Sequence, residues 1–233
     1  MDVILIPGFW LDASSWDEVT PTLEQAGHRV HALTLPGLES VATDRTGIGL
    51  RDHVTAVVKA IAAVGGPVVL VGHSGGGPIA QAAADARPDS VVRVVYVDAG
   101  PLAEGQSINA QLPVVDGEIP LPDWSFFDEP DLVDLTDSQR EAFRARSIPE
   151  PTGVAYDPQV LTDARRYDIP TTVIACEFPS SQLVEWIAQG HPYVAELAAT
   201  HDVDYLDVPT GHWPQFTKPV ELAEAILTAI DRA

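Results

Sequence analysis

Ten residues, Val68-Val69-Leu70-Val71-Gly72-His73-Ser74-Gly75-Gly76-Gly77, constrain the fold more than any other stretch of the chain. A β-branched apolar run enters the pattern G-x-S-x-G, and a small-residue helix at Pro78–Ala86 leaves it. A serine held between a strand and a helix in this way sits on a sharp, strained turn. Side chains two positions before and after it would collide with the turn or the helix. Gly72 and Gly76 remove them. The turn lifts Ser74 Oγ above the sheet edge and aims the first N–H groups of the helix at it. A phosphate-binding turn would want a lysine after the glycines, whereas Pro78 stands there, and G-x-G-x-x-G is absent.

The rest of the chain repeats the same alternation. Val3–Ile6, Arg29–Leu35, Val68–Val71, Val91–Val97, Thr171–Ala175 and Tyr205–Val208 read as strands. Helical spacing runs through Trp16–Gln25, Leu50–Ala63, Pro78–Ala86 and Val220–Ile230. Short apolar strands joined by helices need crossover connections. The expected fold is therefore α/β, a mainly parallel sheet with helices on both faces. Residues 101–169 break the rhythm, with many prolines and acids, the cluster Trp124-Ser125-Phe126-Phe127 and a helix expected at Asp137–Arg146. An unstructured loop of that length is anomalous in a compact domain. The expected organisation is a core of residues 1–100 and 170–233 with a mostly helical lid, 101–169, inserted after the strand that ends at Asp98.

Composition removes several alternatives. Lys and Arg number 13 against 34 Asp and Glu, a formal charge of −21. Such a surface repels nucleic-acid backbones and anionic membranes, so neither is expected as a partner. One cysteine, Cys176, excludes an internal disulfide and a multi-cysteine metal site, and reads as a small core residue. No basic leader and no run of roughly 18 apolar residues is present, which points to a cytoplasmic protein.

A seryl hydroxyl needs a base. Among seven histidines, His212 is best placed, on a loop after the last strand in Val208-Pro209-Thr210-Gly211-His212-Trp213-Pro214. His73 is the variable residue beside the serine, and His28, His31, His53, His191 and His201 lack comparable context. A developing oxyanion needs two preorganised N–H donors. The expected donors are the amides of Gly75, directly after Ser74, and Phe9, in Ile6-Pro7-Gly8-Phe9-Trp10. Trp10 either walls the pocket or packs beneath the loop. Trp124, Phe126 and Phe127 either line an apolar pocket or pack between lid and core.

These residues resemble the compact α/β-hydrolases of the plant methylesterase and hydroxynitrile lyase type, which have many bacterial relatives. The resemblance runs through Val3–Trp16, Ala26–Val30 with Leu35 and Pro36-Gly37, Gly72–Gly76, Val94–Gly100 and Gly211–Pro219. It implies the chain order serine, acid, histidine, and carbonyl chemistry on a small molecule without metal or cofactor. The chain departs from the family twice. Pro7-Gly8 replaces the usual His-Gly, and Pro179 stands where the triad acid is expected in Ala175-Cys176-Glu177-Phe178-Pro179. Asp98, at the end of the strand after the elbow helix, is a substitute, since dehalogenase-like and lipase-like members take their acid from that strand. Glu177 is the fallback. The expected activity is a serine hydrolase cleaving a small, largely apolar ester, thioester or lactone. A cofactor-free lyase and a small-ligand binder on the same scaffold are the rivals, and the oligomeric state is open.

Overall fold

The computed structural model describes residues 1–233. Six strands, β1 (Asp2–Ile6), β2 (Arg29–Ala32), β3 (Val68–His73), β4 (Val91–Val97), β7 (Thr171–Ala175) and β8 (Val203–Asp207), form a sheet of order β2-β1-β3-β4-β7-β8. Every neighbouring pair in it is parallel. Alternate residues serve opposite faces, as the strand period requires. Val69, Val71, Val95 and Val97 meet α1 (Thr20–Gln25) and α9 (Pro219–Ile230) through Leu23, Leu222 and Ile226. Val68, Leu70, Val94 and Tyr96 face α2 (Leu50–Val64) and α3 (Gly76–Ala86) through Val57, Ile61, Ile79 and Ala83. Each such aliphatic side chain contributes roughly 1.5–3 kcal/mol by leaving water. The continuous apolar runs thus come from strands covered on both sides.

Several elements differ from the sequence reading. Trp16–Gln25 is not one helix. A 3-10 turn at Ala13–Trp16, capped by Asp12, is followed by α1, which starts at Thr20. Pro21 is the cause, because it lacks an N–H for a preceding turn and fits only in the first turn of a new helix. The second strand stops at Ala32 rather than Leu35, with Leu33 N–H still bonded to Leu5. The last strand lies at Val203–Asp207, slightly earlier than Tyr205–Val208.

The segment between β4 and β7 is less regular than a helical insertion. It carries α4 (Asp137–Arg146), α5 (Thr152–Tyr156), three short 3-10 turns and a ribbon of β5 (Glu118–Ile119) with β6 (Glu150–Pro151). Prolines at 113, 120, 122, 130, 149, 151 and 158 keep the remainder extended or turned. α4 forms where expected because Thr136 and Gln139 close a reciprocal capping box at its start. The remaining helices, α6 (Ser180–Ala188), α7 (Ala195–Ala199) and α8 (Pro214–Thr217), follow β7 and β8. No helix is long and apolar enough to cross a membrane.

The register sets the site. Ile6, Gly72, Tyr96 and Val173 lie in one row across β1, β3, β4 and β7. Ser74 and Asp98 therefore leave the sheet together at its carboxyl edge. Ser74 N–H donates to Val97 and Asp98 N–H to Ile174, so the ladder continues up to both residues.

Candidate active site

Ser74 follows β3 with φ of 51°, in the left-handed region that a side chain rarely adopts. The two glycines make that turn possible. A Cβ on Gly72 would strike the carbonyl oxygen of Gly76. One on Gly76 would lie 2.6 Å from Pro7 O and 2.7 Å from Ile6 O. The end of β1 is thus a second wall beside the turn and the helix.

Ser74 Oγ lies 2.8 Å from His212 Nε2, and His212 Nδ1 lies 2.6 Å from Asp98 Oδ2. Asp98 is itself in a left-handed conformation, with φ of 43°. Its other oxygen, Oδ1, accepts the N–H groups of Cys176 at 3.1 Å and Glu177 at 3.0 Å. The loop after β7 thus supplies donors to the acid rather than an acid to the histidine. Pro179 heads α6, and the carboxylate that caps this helix is Asp207, bonded to Ser180. Glu177 Oε2 stands back at 3.9 Å from His212 Nδ1.

Electrostatics sort these groups. Burial opposes ionisation of Asp98, but the hydrogen bond and charge of His212, with the Glu177 N–H, hold its carboxyl below the usual range. Burial likewise opposes a charged His212, yet the Asp98 bond and the Asp98, Glu177 and Asp131 charges hold its pKa above the ordinary histidine value. Burial pushes Glu177 up to about 8, reinforced by repulsion from Asp131 and Asp98. Near neutrality Glu177 is thus mostly a neutral acid. Burial pushes the Cys176 thiol far up, leaving it inert in the core.

Neighbours hold the histidine loop in place. His212 N–H donates to Asp131 O at 2.8 Å and Gly211 N–H to Val133 O at 3.1 Å. His212 O accepts from His73 Nε2 at 2.7 Å, while Gln215 Nε2 donates to His73 Nδ1 at 3.3 Å. These two bonds fix the His73 tautomer, and burial keeps the ring neutral with a pKa of about 3.

The N–H groups of Phe9 and Gly75 have no acceptor within the protein, and both residues line the cleft that holds Ser74 and His212. That cleft has a volume of about 630 Å³. Trp10, Phe126 and Phe127 also line it. Trp124 does not. It packs edge-on against Trp213 at 5.8 Å and Phe143 at 5.7 Å, with the Arg144 guanidinium over its ring. Its indole is drawn under the segment by that aromatic cluster, the packing alternative for this residue.

Asp131, Tyr193, Gln215 and Glu150 border or brace the site without having stood out in the sequence. Each is joined to it only by tertiary contact, so no local pattern marks them. Asp98, Glu177 and His212 have ligand atoms within 4.8 Å of one another, a spacing that could suit a cation. The Asp98 and His212 donor atoms are, however, bonded to each other, and Asp98 Oδ1 is occupied by two amides. Those donors are turned towards the protein, a poor fit to a metal ion.

A hydroxyl, an imidazole and a carboxylate in series, beside two unoccupied N–H donors, can activate an oxygen nucleophile and stabilise an oxyanion. The fold and the comparisons define the class. The chain matches the sequence profile of the alpha/beta hydrolase family over residues 3–225 and belongs to that family. It is 26% identical to a pyrethroid hydrolase of Sphingobium wenxiniae over an aligned length of 250 residues, covering 99% of this chain and 88% of the relative. It is 29% identical to the lipase LipV of Mycobacterium tuberculosis over 235 residues, with 85% of each chain covered. An extracellular alpha/beta-hydrolase from a Paenibacillus species shares the fold with a TM-score of 0.79, at 23% identity and 98% coverage of both chains.

Proposed function

We propose that the protein is a serine-dependent carboxylic ester hydrolase acting on a small, largely apolar ester, with thioesters and lactones in the same chemical range. The observation that carries the reading is the unbroken series Ser74–His212–Asp98, with contacts of 2.8 Å and 2.6 Å. Relatives named as a pyrethroid hydrolase, a lipase and esterases support the reaction class.

In this mechanism Ser74 Oγ attacks the ester carbonyl carbon while His212 Nε2 takes its proton. Asp98 holds the Nδ1–H tautomer and stabilises the imidazolium without taking the proton itself. The carbonyl electron pair moves onto oxygen, where the Phe9 and Gly75 N–H groups receive it. As the tetrahedral species collapses, the alcohol leaves with the proton from His212. A water, deprotonated by His212, then attacks the acyl-Ser74 ester and releases the acid, returning the proton to Ser74. The segment 101–169 serves as the lid, with Phe126 and Phe127 offering apolar surface to the substrate.

An excess of cationic groups over the cleft would favour the lyase rival, and the cleft lining contains neither lysine nor arginine. Incubation with a fluorophosphonate probe and a panel of short-chain p-nitrophenyl esters tests the reading. Labelling and turnover that both vanish in Ser74→Ala support it. Absence of both in the wild-type protein overturns it.

A further inference from the structure

The loop that carries the Phe9 N–H is shaped by its next residue. Trp10 has φ of 64°, a conformation that a bulky side chain keeps only where its surroundings hold it. Three bonds do so, all from the segment between β4 and β7. Trp10 N–H donates to Glu150 Oε2 at 3.2 Å, its indole Nε1–H donates to Ile119 O at 3.0 Å, and Ile148 N–H donates to Trp10 O at 3.0 Å. Ile119 and Glu150 are direct partners in the ribbon of β5 and β6, so two of these anchors move as one unit.

Glu150 is 1% exposed, an unusual place for a carboxyl. Its second oxygen, Oε1, has no hydrogen-bond partner and faces His53 Nδ1, also unpartnered, at 3.9 Å. His53 Nε2 donates to Pro36 O at 2.8 Å, which leaves Nδ1 as the acceptor. Burial pushes Glu150 up to about 8 and His53 down to about 4, so both are mostly neutral near pH 7. A neutral carboxyl directs its hydroxyl towards His53 and its carbonyl oxygen towards Trp10 N–H. Nothing in the proposed chemistry uses Glu150 directly, yet a buried carboxyl is retained where an apolar side chain would avoid the desolvation cost.

We infer that Glu150 is a positioning residue: by accepting the Trp10 N–H it fixes the strained turn that aims the Phe9 N–H at the oxyanion. The inference rests on the ester-hydrolase reading for its consequence, and on the Trp10 geometry for its premise. Removing the acceptor lets the turn relax. The Phe9 donor then loses its aim, an effect felt by the transition state more than by the bound ester.

The test uses the full-length protein with Glu150→Gln and Glu150→Met. Glutamine keeps an acceptor for Trp10 and offers a donor to His53, whereas methionine keeps the length and removes both. In the wild-type protein, NMR-detected amide exchange is expected to find Trp10 protected and Phe9 exchanging freely. In Glu150→Met, Trp10 exchange rises at least roughly tenfold while exchange in β3 and α3 is unchanged. With a p-nitrophenyl ester, kcat falls about 10- to 100-fold with KM within about twofold, a fraction of the loss expected for deleting an oxyanion donor. Glu150→Gln restores both readouts. Equal exchange of Trp10 and Phe9 in the wild-type protein overturns the inference even if a variant does not fold. So does a Glu150→Met protein with wild-type Trp10 protection, or equal loss in the glutamine and methionine variants. Absence of ester turnover in the wild-type protein overturns the functional reading instead, and the exchange measurement still judges the positioning.

Discussion

Asp98 Oδ2 meets His212 Nδ1 at 2.6 Å, while Glu177, on the loop after β7, stays 3.9 Å from the same nitrogen. Two carboxyls thus compete for one imidazole, and the nearer one is anchored by two further amides. Asp98→Asn is expected to lower kcat by about three to four orders of magnitude with little change in KM, because the wrong tautomer of His212 is favoured. Glu177→Gln is expected to cost about tenfold or less at pH 7, where that carboxyl is already mostly protonated. Steady-state kinetics of the two variants on one ester decide between the acids.

In the proposed mechanism His212 must be neutral to accept the Ser74 proton. Its pKa is held above the ordinary histidine value by the Asp98 bond and the surrounding carboxylates, which outweigh burial. The acid limb of kcat/KM in the wild-type enzyme is therefore expected above 6.5, the ordinary histidine value, with activity rising as pH increases through it. Glu177 keeps its proton over most of this range, so Glu177→Gln should leave the limb nearly where it is, whereas loss of the Asp98 charge should move it downward. A pH–rate profile from pH 5 to 9 checks both the position and the direction.

Glu150 keeps a proton in the fold at pH values where the unfolded chain has released it. Stability from this group is full below its ordinary value of 4.5 and is lost as pH rises towards about 8. Glu177, also raised to about 8, acts in the same direction. Glu150→Gln should flatten the decline of Tm between about pH 5 and 8 and give a higher Tm than the wild-type protein at the alkaline end. Thermal unfolding across that range measures it.

Gly76→Ala puts a methyl group against two backbone carbonyls of the β1 end, Ile6 O and Pro7 O. Backbone cannot swing aside as a flexible side chain can. The expected cost is about 1–3 kcal/mol in a urea titration, with a fall in kcat larger than stability alone explains because Ser74 is displaced.

What the sequence reveals follows from the range of each interaction. Val68–Gly77 is legible because strand, turn and helix are all local, and Asp98 is legible because a strand end is a local landmark. The strands fall into parallel order because covered strands are apolar throughout. Pro21 is equally local, and its effect on Trp16–Gln25 lay within reach of the pattern. Trp124 is different. Its surroundings, Phe143 and Trp213, lie 19 and 89 residues away, and a cluster of aromatic letters does not say which ring faces the cleft. Glu150 acts on Trp10 across 140 residues and Asp131 on His212 across 81, with chemistry that only the folded arrangement assembles.

The segment between β4 and β7 holds the chain on both sides of Ser74: it bonds Trp10 through Ile119, Ile148 and Glu150, and the histidine loop through Asp131 and Val133. Its removal to widen the cleft would dismantle the machinery underneath. Engineering of substrate range is therefore best confined to cleft-wall positions that carry none of those bonds, such as Leu102, Ile108, Phe126 and Phe127. Those side chains can be exchanged while the braces stay intact, so selectivity and catalytic competence are separable within one stretch of chain.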